Sequence, residues 1–288
     1  MDGVLVVDKP QRLTSHDVVA VARRALGEKR IGHTGTLDPL ATGVLPLACG
    51  RATRLVRFLT ASDKEYDATI RFGLTTDSYD VTGEATSRSG LSPARDAVVR
   101  AVAELTGTYL QMPPAFSAKK VGGTRAYELA RKAQDVSLTA VPVTVARAQL
   151  EDLTRDVGRV RITCSAGFYV RSFAHSLGEL VGSGACLEAL RRTRSGEFTL
   201  DRALPLEQLL PGVQSAVDAL IPLEQLLPGL PALTVTDQGR GRVSHGQEVE
   251  GAVETAEWVR LMDQNGHLIA IAKPGSRQGF LHPAVVLI

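Results

Sequence analysis

The segment Gly32-His33-Thr34-Gly35-Thr36-Leu37-Asp38-Pro39-Leu40-Ala41-Thr42-Gly43-Val44-Leu45-Pro46 sets a single carboxylate among closely spaced glycines and prolines. Pro39 biases Asp38 toward an extended backbone, and the glycines let the main chain approach a ligand closely. A carboxylate on such a loop can serve as nucleophile, general base or metal ligand. It can also cap a turn, and on spacing alone the cap is the better reading. No G-x-x-x-x-G-K-[ST] is present, which excludes a P-loop, and no G-x-G-x-x-G follows a strand. An aspartyl-phosphate loop needs its Asp two residues before Thr34, where Gly32 stands. The histidines His16, His33, His175, His245, His267 and His282 show no metal-ligand spacing, so a catalytic metal is not expected. Ser15-His16-Asp17 contains the residue types of a catalytic triad, but adjacent positions need not converge, and it reads better as a helix start.

The elements that must position this loop follow from periodicity. Val4–Val7 is a β-branched run and predicts a buried strand. Thr14-Ser15 offers an N-cap to a helix through Val18, Val19, Ala22, Ala25 and Leu26, with Gly27 as its stop. Residues 51–59 look helical. Tyr66, Ala68, Ile70 and Phe72 alternate with polar residues, as in a half-buried strand. Residues 77–93 read as polar loop. Ala94, Ala97, Val98, Ala101, Val102 and Leu105 form the apolar face of a helix, and residues 126–133 predict a shorter one. Val141–Val145 and Val160–Cys164 read as strands. Val170, Phe173, Ala174, Leu177 and Val181 recur at helical spacing. Leu204-Pro-Leu-Glu-Gln-Leu-Leu-Pro-Gly212 recurs as Ile221-Pro-Leu-Glu-Gln-Leu-Leu-Pro-Gly229, which predicts two short amphipathic helices at a domain junction. Asn265-Gly266 between Val259–Met262 and Leu268–Ala272 signals a hairpin, and residues 284–288 read as a final strand.

The chain has 288 residues, 44% of them apolar and 22% charged, values that fit a globular protein and exclude disorder. No apolar run is long enough to span a bilayer. The N-terminus carries an acid where a secretory signal needs basic residues, so a cytoplasmic protein is expected. The three cysteines, Cys49, Cys164 and Cys186, lack C-x-x-C spacing and argue against a disulfide framework. Lys+Arg exceed Asp+Glu by only 33 to 31. That balance hides a basic body and an acidic C-terminal third. Basic clusters lie in residues 1–60 (Arg23, Arg30, Arg51, Arg54 and Arg57 among them), at Lys119, Lys120, Arg125, Arg131 and Lys132, and at Arg191, Arg192 and Arg194. Together they favour an anionic partner such as RNA.

On these residues the chain resembles a known family. Gly32–Gly43 is similar to the signature loop of the bacterial TruB family of tRNA pseudouridine synthases. Five further segments resemble that family in order: Val6-Val7-Asp8-Lys9-Pro10; Lys64-Glu65-Tyr66 with Thr76-Asp77-Ser78-Tyr79-Asp80; Met112-Pro113-Pro114-Ala115-Phe116-Ser117-Ala118-Lys119-Lys120 with Arg125–Arg131; Gly167-Phe168-Tyr169-Val170-Arg171-Ser172; and Leu190-Arg191-Arg192-Thr193.

The resemblance implies a mixed α+β fold of the pseudouridine-synthase type, with a mixed sheet, flanking helices and an RNA-binding insertion. It also implies a small β-rich, PUA-like C-terminal domain. The expected organisation is a catalytic domain over residues 1–210 with the insertion at about 112–150, a linker at 211–232 and the small domain at 233–288. The implied activity is isomerisation of uridine to pseudouridine at position 55 in the tRNA T-loop, without cofactor or metal and with the target base flipped out. Asp38 becomes the catalytic residue, Tyr66 the ring that stacks on the base and assists proton removal from C5, and Arg171 the partner of the aspartate. Lys9, His33, Asp80, Tyr169 and Leu190 match substrate-pocket positions. Lys119, Lys120, Arg125, Lys132, Arg191 and Arg192 would contact phosphates. The implied partner is the tRNA T-arm, met by a monomer with no obligatory protein partner and no membrane. Two other readings are an RNA-binding protein without chemistry and a phosphotransferase using Asp38. The intact Asp38, Tyr66 and Arg171 set argues against the first. Missing metal ligands and the missing P-loop lysine argue against the second.

Overall fold

Val4-Leu5-Val6-Val7 forms the centre of the strand Gly3–Lys9, buried on both faces as the continuous β-branched run requires. The computed structural model describes residues 1–117, 120–121, 124–125, 138–209, 213–251, 253 and 256–288. The helix expected over 126–133, Lys119, and the side chains of Lys120, Arg125 and Lys132 lie outside them. Gly3–Lys9 belongs to an 11-stranded mixed sheet. Across it run Leu204–Pro205, Gly3–Lys9, Thr42–Cys49, Ala185–Ser195, Lys64–Phe72, Val157–Cys164, Val141–Thr154 and Gly107–Gln111. The strand Ala185–Ser195, not anticipated from periodicity, lies at the middle of this sheet.

Three helices cover one face. Ser15–Leu26, Arg95–Glu104 and Val170–Val181 set Val18, Val98, Phe173 and Leu177 against Leu5, Leu45, Ile70, Phe72 and Ile162. Deleting a ring such as that of Phe173, fully buried here, costs about 3–5 kcal/mol. The first helix begins where the sequence predicts. Thr14 Oγ1 accepts from the Asp17 amide and the Asp17 carboxylate accepts from the Thr14 amide, a complete capping box. Gly27 ends it at φ 61°. The polar segment 77–93 is not all loop: Ala85–Arg88 pairs with Leu74–Thr76 as a small hairpin.

The opposite face has two halves. Val4, Val6, Val44 and Ala48 are covered by the C-terminal region through Leu268, Ile271 and Leu287. The other half carries ion pairs at its surface, among them Arg161 with Asp67 and Glu151, and Arg71 with Asp156 and Glu188. The C-terminal region forms its own 5-stranded sheet, in the order Ala232–Thr234, Val259–Met262, Leu268–Pro274, Phe280–Val286 and Val249–Glu250. Val259–Met262 and Leu268–Pro274 form the expected hairpin, closed by a longer loop in which the Asp263 carboxylate accepts from the Asn265 and His267 amides.

Two expectations change here. Arg51 and Arg54, counted with the basic surface, donate to the carbonyls of Leu287 and Val286 and so hold the two sheets together. Arg57 lies over the rings of Phe58 and Trp258 at the same junction. The stretch expected as linker is partly sheet: Ile221–Pro222 pairs antiparallel with Gly3–Val4. Its duplicate, Leu204–Pro205, pairs parallel with Val7–Asp8 on the same strand. Each copy continues into a short 3-10 helix, not an α-helix. Their registers send their leucines to opposite faces, since Leu204 lies opposite Val7 and Ile221 opposite Val4: Leu206 and Leu209 join the helix-covered core, while Leu223 and Leu226 join the core beneath the second sheet.

Candidate active site

The Asp38 loop runs from the end of the strand Ile31–His33 to the strand Thr42–Cys49, and it is anchored from several directions. Ser15 Oγ, at the start of the first helix, accepts from the Leu37 amide at 2.8 Å and donates to the Leu37 carbonyl at 3.1 Å. The Arg12 amide donates to the Pro39 carbonyl at 2.7 Å, and the Ala41 amide turns back to the Asp38 carbonyl at 3.0 Å. From the sheet side, Arg192 donates from Nε to the Val44 carbonyl at 2.7 Å and from Nη2 to that of Gly35 at 3.1 Å. Gly43 adopts φ 99°, and a Cβ there would collide with the Arg192 main chain.

This scaffold leaves the Asp38 side chain 41% exposed while its partner is buried. Arg171 Nε lies 2.9 Å from Asp38 Oδ2, but Nε is not aimed along a hydrogen bond, so the pairing is ionic. Arg171 sits in the first turn of Val170–Val181, where the helix dipole disfavours a cation. Its environment compensates. Nη1 donates to the Ser78 carbonyl at 3.0 Å and Nη2 to that of Phe116 at 2.9 Å. Asp80 Oδ2 stands 3.8 Å from Nε. Arg171 therefore ties together the Asp38 loop, the 76–80 turn and the start of the insertion.

The remaining expected residues divide. Tyr66 is buried on the helix-covered face. Burial raises its hydroxyl pKa, and the nearby positive charge of Arg192 opposes that rise. Leu190, opposite Ala68 on the neighbouring strand, shares that face and is nearly buried. Tyr169 is half-buried; its amide and carbonyl are held by the Gln111 side chain. Burial raises its hydroxyl pKa too, against the influence of Ser117 and Arg171, while the Asp38 carboxylate adds to the rise. His33 is half-buried and meets His16 edge-on at 5.3 Å between ring centroids. Burial, then the charges of His16 and Arg192, push its pKa down to about 4, so it is neutral near pH 7.

Several expected RNA contacts are engaged within the fold. Lys9 is fully buried, and its Nζ donates to the carbonyls of Leu13 at 2.6 Å and Pro10 at 2.9 Å. Burial lowers its pKa to about 8. It braces the chain entering the first helix, and the Asp38 carboxylate opposes the lowering of its pKa. Asp80 is buried and orders its own turn by accepting from the Ser78 hydroxyl and the Thr82 amide. Arg191 alternates to the far face of the sheet, where Nη2 meets Asp8 at 2.7 Å. Arg192 is only 1% exposed and cannot reach a phosphate. Lys64, to which the sequence assigns no site role of its own, is a further buried cation: its Nζ donates to the carbonyls of Thr60 and Ser62. Its position in the Lys64-Glu65-Tyr66 segment was the available signal.

A cleft of about 320 Å³ borders the loop and is lined by Gln11, Leu40, Thr42, Asp67, Leu190 and Arg191. Asp38 does not line it. Cys49, Cys164 and Cys186 are buried free thiols. Burial pushes their pKa values up to about 12, 12 and 11, which leaves them poor nucleophiles.

Residues 23–170 match the TruB family pseudouridylate synthase (N terminal domain), and residues 171–228 match the tRNA pseudouridylate synthase B C-terminal domain. The tRNA pseudouridine synthase B of Solibacter usitatus is 44% identical over 294 residues, covering 100% of both chains. That of Bacillus cereus is 38% identical over 301 residues, covering 100% of this chain and 98% of the relative. Among solved structures, a chain in the crystal structure of the archaeal box H/ACA sRNP Nop10-Cbf5 complex superposes with a TM-score of 0.75 at 25% identity. It covers 99% of this chain and 86% of that one. By sequence along its whole length and by fold, this chain belongs to the TruB family of pseudouridylate synthases.

Proposed function

We propose that the chain converts uridine to pseudouridine at position 55 in the T-loop of tRNA, with the Asp38 carboxylate as the reacting group. The observation that carries this assignment is the pairing of a half-exposed Asp38 with a buried Arg171 on a loop anchored along its length. An ion pair of this kind keeps the carboxylate charged and aimed, and the anchored loop spares the reaction the entropy of finding its geometry.

The reaction is an isomerisation and needs no co-reactant. The bond between C1′ and N1 of uridine breaks, the uracil rotates, and a bond forms between C1′ and C5. The proton on C5 leaves and N1 ends protonated, so atoms and electrons balance. A carboxylate can attack the nucleotide or help deprotonate the sugar without a cofactor. Tyr66 and Leu190 lie on the same face of the sheet, a placement that suits a ring and an apolar wall on either side of a flipped base. A neutral Tyr66 hydroxyl acts as a proton relay at C5, not as a standing base. The chain acts alone on the T-arm, with phosphate contacts supplied by the insertion that begins at Met112.

The test is incubation with an unmodified T-arm stem-loop, without metal or nucleotide, followed by mapping of pseudouridine. Conversion of the loop uridine is expected. Tight binding without product would favour an RNA-binding protein without chemistry.

A further inference from the structure

Among the described residues, Arg192 is an arginine without a carboxylate partner. It is 1% exposed and donates to the main-chain carbonyls of Val44 from Nε at 2.7 Å, Gly35 from Nη2 at 3.1 Å and, at the limit, Thr36 from Nη1 at 3.5 Å, and its guanidinium also hydrogen-bonds the Tyr66 side chain. Its charged neighbours include Lys9 and Lys64, both buried, and its charge depresses the pKa of each. Burying a cation among like charges is costly, and excellent hydrogen-bond geometry must offset that cost. Such an arrangement marks a place where something other than stability is being met.

The partners show what that is. Gly35 and Thr36 lie just before Asp38, and Val44 lies just after the loop returns to the sheet. One planar guanidinium therefore staples both ends of the loop to the central strand Ala185–Ser195. Gly43 completes the contact, since only its missing Cβ lets the returning chain lie on the Arg192 backbone. The same strand pairs Arg192 opposite Tyr66. We infer that Arg192 is a positioning residue for the reaction, holding the Asp38 loop in register with Tyr66, and not an RNA contact. It acts through geometry, because the fork spans carbonyls that a single ammonium cannot reach together. The inference rests on the assignment of Asp38 as the reacting group.

The experiment compares wild type with Arg192→Lys, which keeps the charge and loses the fork. Single-turnover conversion and affinity for the T-arm stem-loop are measured, with amide hydrogen exchange over residues 34–44 and over the C-terminal sheet. The expected result is a rate about 100-fold lower, the effect of roughly an ångström of misplacement. Affinity should stay within about threefold, and exchange should rise in the loop but not in the C-terminal sheet. A rate within about threefold of wild type, or lost affinity at an unchanged rate, would overturn the inference. Should Arg192→Lys not fold, wild type itself decides. The Arg192 Nε proton, followed by NMR, is expected to exchange within about tenfold of the Leu37 amide, because one opening releases both. Much faster exchange of Nε would show that the guanidinium does not hold the loop. The exchange measurements do not depend on activity. If wild type made no pseudouridine they could still support the brace while the assignment of function failed.

Discussion

Arg191 and Arg192 are neighbours of one residue type, and the central strand turns them to opposite faces. Arg191 keeps 41% of its side chain exposed and meets Asp8 at 2.7 Å, a pair of a class that contributes about 0–1 kcal/mol. Arg192 is sealed under the helices and fixes the main chain around Asp38. The far face keeps its charges paired with carboxylates at the surface. The near face buries Lys9, Lys64, Arg171 and Arg192 and satisfies them largely with carbonyls. Residue type therefore says little about a basic residue's task here; the face of the sheet decides it.

Substitutions on the two faces should separate accordingly. On the near face, Arg171→Met leaves the Ser78 and Phe116 carbonyls unpaired and removes the cation beside Asp38. Single-turnover conversion of the T-arm stem-loop is expected to fall by about 100–1,000-fold. Tyr66→Phe keeps the packed ring and removes the hydroxyl; the expected loss is about 100-fold in rate with affinity retained, read in the same assay. A far smaller loss would confine Tyr66 to stacking.

His33 gives a stability test of the near face. In the unfolded chain it protonates near 6.5, and in the folded protein burial lowers this to about 4. Between these values the unfolded chain binds more protons. Its contribution to stability is thus fully present above pH 6.5 and is lost as pH falls toward 4. The melting temperature of wild type should drop over that interval, and His33→Asn should flatten the drop. An equal slope in both proteins would place the cause elsewhere.

The smallest effect belongs to the far face. Arg191→Ala is expected to leave rate and affinity within about twofold and the salt slope of binding unchanged. A slope lower by about one would return Arg191 to the RNA interface.

The same comparison explains what the sequence does and does not reveal. The Asp38 loop, the capping box at Thr14 and the helix through Arg171 are visible locally, in glycine placement, cap residues and period. Arg192 is not. Its strand is bulged between Leu187 and Ala189 and again between Arg192 and Arg194, so no clean alternation marks its facing. Two adjacent arginines then look like a phosphate patch. Arg51 and Arg54 mislead for the same reason: their partners, the carbonyls of Leu287 and Val286, lie more than 200 residues away in sequence. The duplicated Pro-Leu-Glu-Gln-Leu-Leu-Pro-Gly is the limiting case. Identical residues serve opposite faces because one copy is registered opposite Val7 and the other opposite Val4, which alternate to opposite faces of the same strand. Local sequence cannot encode that choice.

The central claim is that the Asp38 carboxylate carries out the reaction on a loop the rest of the near face holds still. Asp38→Asn changes the charge with almost no change in shape, and among the described residues the loop's anchoring uses its carboxylate only through Arg171. The most direct measurement is pseudouridine formed by this variant on an unmodified T-arm stem-loop, together with its affinity for the same RNA. No detectable product with affinity within a few fold of wild type is the predicted result. Product at a rate near that of wild type would contradict the assignment of Asp38.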